Sequence, residues 1–209
     1  SLSVEAVNGQ GYELGFGKLI LMAGSGNASL LASAALSKPA MQLRPLKMVM
    51  MRGGLTEKVF AHCMGAGINP RVTITSHTDN NNNIVWYLGG QLAEDGVHRS
   101  DDEQISRARQ ELATLIPWQK LDTAQWAVLD IDRAEVKHAD GHRPDSFYFD
   151  QHGDIITAWP TKLALAPLLA RQVLDLVSDI AKTANELPPW PAPPIAEFPW
   201  CEEARWGMV

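Results

Sequence analysis

A glycine-rich turn near the start of the sequence is the first feature whose residue types and spacing could support chemistry. Gly24 and Gly26 follow an apolar run, Lys18–Ala23, and precede a stretch of small residues, Ala28–Leu36, that is suited to a helix. A turn between a buried strand and a helix can present backbone N–H groups to a phosphate. However, the third small residue is Ser29, and no acidic residue ends a following strand at the spacing of a dinucleotide site. We therefore favour a tight strand-to-helix turn over a phosphate cradle.

Basic side chains near the predicted strands are the next candidates for contact with a ligand. Arg52 and His77 both lie in such positions. A histidine can bind a substrate or transfer a proton near neutral pH, although a purely structural histidine is the commoner case. His138 and His142 are four positions apart, but Gly141 would break a helix between them and no third ligand is evident. We therefore expect no metal site there.

Short apolar runs predict the strands that would position these side chains. Most of the runs are rich in β-branched and aromatic residues, and turn-forming residues separate them. The predicted strands are Val4–Phe16 (a hairpin), Lys18–Ala23, Met48–Met51, Val72–Thr75, Ile84–Leu88, Trp126–Ile131, Ser146–Phe149 and Asp154–Trp159. Few helical segments separate the strands between Met41 and Tyr87, which favours antiparallel pairing. Asp79–Asn83 is expected to be a hairpin loop, and Asp150–Gly153 a turn.

Two longer helices are expected in addition to the short one after the glycine turn. The first begins at the capping box Ser100–Glu103 and ends before Pro117, and it should turn Glu111 towards solvent. The second has Pro167 in its first turn, where a missing N–H costs nothing. Leu187–Pro194 is expected to form a polyproline-type segment. The fold class is therefore predicted to be α+β, a mostly antiparallel sheet with covering helices.

Composition excludes several classes of protein. Of the 209 residues, 45% are hydrophobic and 20% charged, which is typical of a globular domain. The net charge is −6 and no stripe of Lys and Arg occurs, so we expect no nucleic-acid partner. The apolar runs are too short to span a membrane. Two distant cysteines, Cys63 and Cys201, fit a reducing compartment, and we expect the cytoplasm.

Four short segments occur in an order and spacing that is more specific than any one of them. They are Leu19–Ala28, Leu43–Met50, Asp140–Asp145 and Ile155–Pro167. In this order they resemble the late strand and glycine turn, the first substrate-domain strand, the Gly-x-Arg-Pro stretch and the final strand with its flavin-facing loop in one superfamily. That superfamily is the D-amino-acid-oxidase and glycine-oxidase group of FAD-dependent oxidoreductases. The resemblance extends from Gly15 to Val177.

The resemblance implies that Arg143, in the Arg-Pro pair, binds a substrate carboxylate. A guanidinium group suits this role because it can donate two parallel hydrogen bonds to a carboxylate. A structural salt bridge with Asp132 or Glu135 is the alternative. Arg52 and His77 are then further candidate substrate-binding residues. The implied substrate is a small amine, amino acid or hydroxy acid, and no catalytic general base is identified.

The resemblance also implies that FAD is the cofactor and that the segment after the last strand contacts its flavin. The implied contacts are Trp159, Pro160, Thr161, Lys162 and Leu163, together with Gly24 and Gly26. A helix start aimed at the flavin pyrimidine edge places partial positive charge where the reduced ring becomes negative. The sequence has Trp-Pro-Thr-Lys where the superfamily usually has Gly-His and Gly. The alternative is that Trp159 and Leu163 are core residues and Lys162 is solvated.

The nucleotide-binding unit of the superfamily is missing from this sequence. No strand followed by Gly-x-Gly-x-x-Gly precedes Lys18. We therefore expect the C-terminal part of a flavoenzyme that transfers hydride to FAD, either a piece of a longer protein or a split product. Alone, this part is expected to hold no FAD and to be inactive. The alternative is a non-catalytic binding module or accessory subunit with the same substrate-domain fold.

The expected organisation follows from the same resemblance. Residues 1–36 would be a remnant of the FAD-binding α/β domain, 37–153 the substrate-binding domain, 154–187 the return to the FAD domain and 188–209 a Pro-rich tail. The two FAD-domain pieces should pack on each other and leave an apolar face. The expected partners of that face are the missing N-terminal FAD domain or a second copy of the chain.

Overall fold

A computed structural model describes residues 1–6, 8–138, 144–177 and 194–207. Within these residues the chain forms ten strands and four α-helices. The strands are β1 Leu2–Glu5, β2 Gly11–Leu14, β3 Leu19–Leu21, β4 Met41–Arg52, β5 Ala61–Met64, β6 Pro70–Thr78, β7 Ile84–Gly89, β8 Gln125–Val136, β9 Tyr148–His152 and β10 Ile155–Trp159. The helices are α1 Asn27–Ser33, α2 Gln91–Glu94, α3 Asp101–Leu115 and α4 Ala166–Val177.

The chain divides into two compact units, each made of two stretches of sequence. The first unit comprises Ser1–Arg44 and Arg133–Pro194, and the second comprises Pro45–Asp132 and Ile195–Val209. The division falls within β4 and within β8. No helix in the described ranges is both long enough and apolar enough to cross a membrane.

The first unit contains a three-stranded sheet in the order β3-β10-β9. β10 pairs parallel with β3 and antiparallel with β9. Leu21 of β3 and Leu31 of α1 share a buried cluster with Trp159 of β10. Ile156, on the same strand, packs with Leu169 of α4. The prediction that these two segments pack on each other is therefore confirmed, whereas their assignment to an FAD-binding domain stays a prediction.

The largest sheet has five strands in the order β5-β6-β7-β4-β8. β5 with β6, β6 with β7, and β7 with β4 are antiparallel pairs. In the second unit, one face of this sheet packs against α3 through a core that includes Met51, Trp86 and Leu112. α3 begins at a complete capping box, in which Ser100 and Glu103 satisfy each other's backbone N–H. The predicted α+β fold with a mostly antiparallel sheet is therefore confirmed.

Two local predictions are wrong. The predicted turn Asp150–Gly153 starts too early, because β9 continues to His152 and the chain reverses at Gly153, which has φ +60°. Glu111 does not face solvent: its carboxylate is buried and bonded to the guanidinium groups of Arg71 and Arg107, which shield it. Helical periodicity places Glu111 outwards, but long arginine side chains cover it.

Candidate functional site

The glycine turn after β3 is fixed by a buried amide. Asn27 is fully buried, its Oδ1 accepts a hydrogen bond from the Ala23 N–H at 2.7 Å, and its Nδ2 donates to the Ala158 carbonyl at 3.3 Å. The indole Nε1 of Trp159 donates to the Gly24 carbonyl at 3.1 Å. The Gly26 N–H donates back to Ala23. These bonds are those of a tight strand-to-helix turn, and contact of Gly24 and Gly26 with a cofactor stays a prediction.

The segment after β10 makes a sharp turn at Thr161, which has a left-handed φ of +57°. This conformation is unusual for a β-branched residue and costs about 1–3 kcal/mol wherever the fold imposes it. The Thr161 hydroxyl lies 2.8 Å from the Ser146 carbonyl and 2.6 Å from the Pro160 carbonyl. The Lys162 N–H donates to Pro160 at 2.6 Å. The backbone is thus held in a strained shape by local hydrogen bonds.

A helical start follows this turn directly. A 3-10 helix, Leu163–Leu165, runs into α4. The first N–H groups of a helical segment have no partner within it and carry partial positive charge. The side chain of Leu163 is 89% exposed, whereas Trp159 is buried. The prediction of a core position is therefore correct for Trp159 and wrong for Leu163.

The Thr161 turn has the groups that an isoalloxazine ring would need. The exposed Leu163 offers an apolar contact for a ring face. The helical start and the Lys162 ammonium offer N–H donors and positive charge for the electron-rich ring edge. The residues present therefore fit a flavin by their backbone N–H groups and apolar side chain, and their contact with one stays a prediction.

Arg52, at the end of β4, lies in a network of charges in the second unit. Its Nη1 and Nη2 donate to the two carboxylate oxygens of Glu203 at 2.7 and 2.6 Å, and Nη1 also reaches Asp79 at 3.2 Å. Its Nε donates to Gln125 at 2.8 Å. The ring of Trp206 lies 4.4 Å from the guanidinium carbon. Hydrogen bonding to Glu203 is the largest cause that holds the pKa of Arg52 above its ordinary value.

Asp79 is the buried counter-ion of this network. Its Oδ1 accepts the backbone N–H groups of Asn81 and Asn83, and its Oδ2 accepts the Asn83 side-chain amide. Burial raises the pKa of Asp79, but the Asn83 and Asn81 hydrogen bonds and the charge of Arg52 outweigh it and lower the pKa overall. The Asn-rich hairpin loop thus holds the Asp79 carboxylate next to Arg52.

His77, on β6, lies in an aromatic group on the same unit. Its ring stacks on Trp200 at 3.9 Å and meets the edge of Tyr87 at 6.1 Å. Its Nε2 lies 3.2 Å from the Thr75 hydroxyl. Burial lowers the pKa of His77 and raises that of Tyr87. His77 is therefore poorly suited to carry a positive charge in this environment.

Several predicted residues lie outside the described ranges. Arg143 and His142 are among them, as is the segment Leu187–Pro194 except for Pro194. The alternative partner for Arg143, Glu135, is buried and already paired with Arg44 and Gln42. Among the described residues, no three His, Cys, Asp or Glu side chains gather in a way that could hold a metal ion.

The sequence analysis missed the C-terminal segment that contacts Arg52 and His77. Glu203, Trp200 and Trp206 all come from it. A Glu-Glu-x-Arg-Trp cluster with nearby tryptophans is a hint of a packed segment, because tryptophans in a short tail are rarely left in solvent. No local sequence pattern predicts that this segment contacts Arg52 and His77.

Sequence comparison finds similarity to an FAD-dependent oxidoreductase. The chain is 45% identical over 194 residues to the probable FAD-dependent oxidoreductase PA4991 of Pseudomonas aeruginosa. The aligned region covers 91% of this chain and 50% of that relative. No family model matches the chain.

Structure comparison gives the same relative. The chain superposes on the crystal structure of the FAD-dependent oxidoreductase PA4991 with a TM-score of 0.80, covering 88% of this chain and 52% of that one. The chain therefore spans about half the length of the curated relative that it matches. The predicted resemblance to FAD-dependent oxidoreductases is confirmed, because a homologue of that name has a matching structure. Membership of the D-amino-acid-oxidase and glycine-oxidase group stays a prediction.

Proposed function

We propose that this chain forms the substrate-domain half of an FAD-dependent oxidoreductase. The observation that carries the proposal is 45% identity over 194 residues to PA4991, with a TM-score of 0.80 to its crystal structure. Because a shared fold does not by itself imply a shared function, the proposal also depends on the residues of the Thr161 turn and on the substrate-binding candidates.

The proposed substrate is a small amine, amino acid or hydroxy acid, as in the D-amino-acid-oxidase-like enzymes. Arg143 is proposed to bind its carboxylate, with Arg52 and His77 as further substrate contacts. Arg52 supports this choice of substrate, because its guanidinium already binds a carboxylate, that of Glu203, through two hydrogen bonds. His77, with its lowered pKa, would contact the substrate as a neutral ring.

FAD, when bound, supplies the hydride acceptor. This chain's own residues are proposed to position it. Trp159 and Gly24 hold the glycine turn against the last strand, Gly26 keeps that turn tight, and Pro160 and Thr161 set the direction of the backbone. When FAD is bound, Lys162 and the helical start would place positive charge at the ring edge, while Leu163 would cover an apolar face and exclude water.

The remaining half of the enzyme is the proposed partner. Several apolar side chains of the first unit are partly exposed. Ile20, Met22 and Leu30 are 39–52% exposed, and Leu168 and Leu174 of α4 are 50% and 62% exposed. Exposed apolar groups of this kind favour contact with another surface. That surface would be the N-terminal FAD domain or, in its absence, a second copy of this chain. Alone, the chain would retain no FAD and would be inactive, and we expect the whole enzyme in the cytoplasm.

The test uses the product of the whole gene. We expect it to copurify with flavin and expect one class of small amine, amino acid or hydroxy acid to reduce that flavin under anaerobic conditions. Arg143→Ala should raise KM for a carboxylated substrate roughly tenfold to hundredfold, the loss of a charge-assisted hydrogen-bond pair. Arg143→Lys, which keeps the charge, should recover part of the loss. A product without flavin that still binds small acids would instead identify a non-catalytic binding module.

A further inference from the structure

The C-terminal segment Ile195–Gly207, here called the strap, lies on Arg52 and His77 within the second unit. Trp200 stacks on His77, and Trp206 covers the guanidinium of Arg52. The backbone of Gly207 exchanges two hydrogen bonds with Trp126, at 3.2 and 3.3 Å. The strap is thus fixed at several points that do not involve Glu203.

The negative charge of the carboxylates around Arg52 exceeds the positive charge of its guanidinium. One guanidinium faces two carboxylates, Asp79 and Glu203, so the three groups together carry one excess negative charge. Asp79 cannot leave, because its side chain is fully buried and accepts three further hydrogen bonds from the Asn-rich loop. Asp79 therefore already balances the charge of Arg52 and repels Glu203, but the hydrogen bonds from Arg52 outweigh this repulsion and lower the pKa of Glu203.

Glu203 is the partner that can be exchanged. Its side chain is 59% exposed, whereas that of Arg52 is 10% exposed. Because the Glu203 carboxylate stays largely hydrated, water screens its attraction to Arg52, and another carboxylate can reach the same guanidinium from solvent. A cleft of about 210 Å³ lies beside the pair, lined by Arg52, Gly53, Asn81, Asn83, Gln125 and Glu203.

We propose that Arg52 is a binding site for a small carboxylate ligand, and that the Glu203 carboxylate occupies this site when the ligand is absent. Glu203 already uses the two-point geometry that a ligand carboxylate would use. The inference rests on the proposed role of Arg52 in carboxylate binding, but not on FAD. It adds that the chain's own carboxylate competes with the ligand.

The cleft limits the ligand to a small acid with a second polar group. Its volume is below the roughly 300–1,000 Å³ of sites for drug-sized molecules. Asn81, Asn83 and Gln125 line the cleft. The Asn83 amide nitrogen already bonds Asp79 and the Gln125 oxygen already accepts from Arg52, so the remaining amide atoms of these residues would bond an amino or hydroxyl group next to the carboxylate. The Trp206 ring closes the guanidinium on one face. The class of ligand is therefore an amino or hydroxy acid of a few heavy atoms.

Exchange needs rotation of one side chain rather than release of the strap. The stacking of Trp200 and the Gly207–Trp126 backbone pair remain in place when Glu203 turns towards solvent. The tethered carboxylate acts as an internal competitor at an effective concentration of millimolar or more. Removing its charge should therefore strengthen binding of a free carboxylate.

The test measures acetate binding to the 209-residue chain by the NMR shift of the Arg52 Nε–H. Acetamide is the uncharged control for acetate, and sodium chloride at matched ionic strength is the control for a general effect of anions. We expect Glu203→Gln to bind acetate at least about tenfold more tightly than the unmodified chain. Glu203→Asp, which keeps the charge on a shorter side chain, should fall between the two. Acetamide should produce no shift in any of them.

Glu202→Gln is the matched control, since Glu202 is the neighbouring residue and pairs with Arg205 instead. It should bind acetate as the unmodified chain does. Equal acetate affinity in Glu203→Gln and the unmodified chain, or an equal shift with chloride, would overturn the proposal and make Glu203 a structural counter-ion. No flavin or turnover enters the assay, so that outcome leaves the oxidoreductase proposal standing, and a failure of flavin reduction leaves this result standing.

Discussion

The two candidate regions satisfy their polar groups in opposite ways. In the Thr161 turn, hydrogen bonds among backbone groups and one hydroxyl fix a strained backbone, and the exposed side chain, Leu163, is apolar. Around Arg52, each charged group meets an opposite charge from the same chain. The Thr161 turn can contact a ligand through an apolar surface and through directed backbone N–H groups. Arg52, in contrast, can bind an anionic ligand only if that ligand displaces a carboxylate that is already bound to it.

Because of this difference, we expect substitutions in the two regions to affect protein stability and ligand binding to different extents. A buried charge that loses its partner is costly, so changes in the Arg52 network should appear first as lost stability. A strained turn with an exposed side chain contributes little to the core, so changes there should alter stability slightly and binding more.

Arg52→Ala should have the largest effect on stability. It leaves the buried Asp79 carboxylate without its cation, and we expect the free energy of unfolding in urea to fall by about 3 kcal/mol. Arg205→Ala is the matched control, because its pair with Glu202 is exposed, and it should cost less than about 1 kcal/mol. Equal losses for the two variants would mean that the Arg52 network is no more than a surface ion pair.

Asn27→Ala tests whether the glycine turn has a buried anchor of its own. The change leaves the Ala23 N–H and the Ala158 carbonyl without their partner, which should cost about 2 kcal/mol. Hydrogen exchange at Ala23 should accelerate correspondingly. Ser29→Ala removes only an exposed hydroxyl bond and should change stability by less than about 0.5 kcal/mol. Unchanged exchange at Ala23 would show that the turn is held by other contacts.

The strands and the capped helix near Arg52 could be predicted because their signals are local. Branched and aromatic runs predicted the positions of β6 and β7, and Ser100 with Glu103 predicted the start of α3. β5 and the one-turn helix α2 were missed, since each is only four residues long. Short elements depend on tertiary packing more than on propensity.

The network itself could not be predicted, because its partners are distant in sequence. Glu203 is 151 positions from Arg52, and no periodic pattern records such a pair. The Asn-rich loop predicted a turn, but not that Asp79 would be buried inside it. At the Thr161 turn, by contrast, Pro167 indicated a helix start soon after the last strand, while the left-handed φ of Thr161 had no sequence signal.

Thr161→Gly and Thr161→Val together measure the strain in the turn. Valine keeps the β-branched shape at φ +57° and removes the hydroxyl bond, so we expect it to cost about 1 kcal/mol. Glycine also removes the hydroxyl but adopts a left-handed conformation freely, so Thr161→Gly should be more stable than Thr161→Val by about 1 kcal/mol. Identical stabilities would mean that the fold holds Thr161 without strain, and the contrast between the two regions would weaken.

His77→Phe should have the smallest effect, and it should depend on pH. Burial lowers the pKa of His77 below the ordinary value of 6.5, so the unfolded chain binds a proton more readily than the folded chain does. The stability that depends on a neutral His77 is therefore present above the unfolded-state pKa and is lost as the pH falls through 6.5 towards the lower folded-state value. Phenylalanine keeps a ring against Trp200 without a titrating group, so the variant should lose less stability than the unmodified chain between about pH 8 and about pH 5.

Denaturation midpoints across this range measure the difference, and His98→Gln, at an exposed histidine, should follow the unmodified chain. Parallel curves for His77→Phe and the unmodified chain would mean that protonation of His77 does not oppose folding, because a proton on this ring would then be as well accommodated beneath Trp200 as in water.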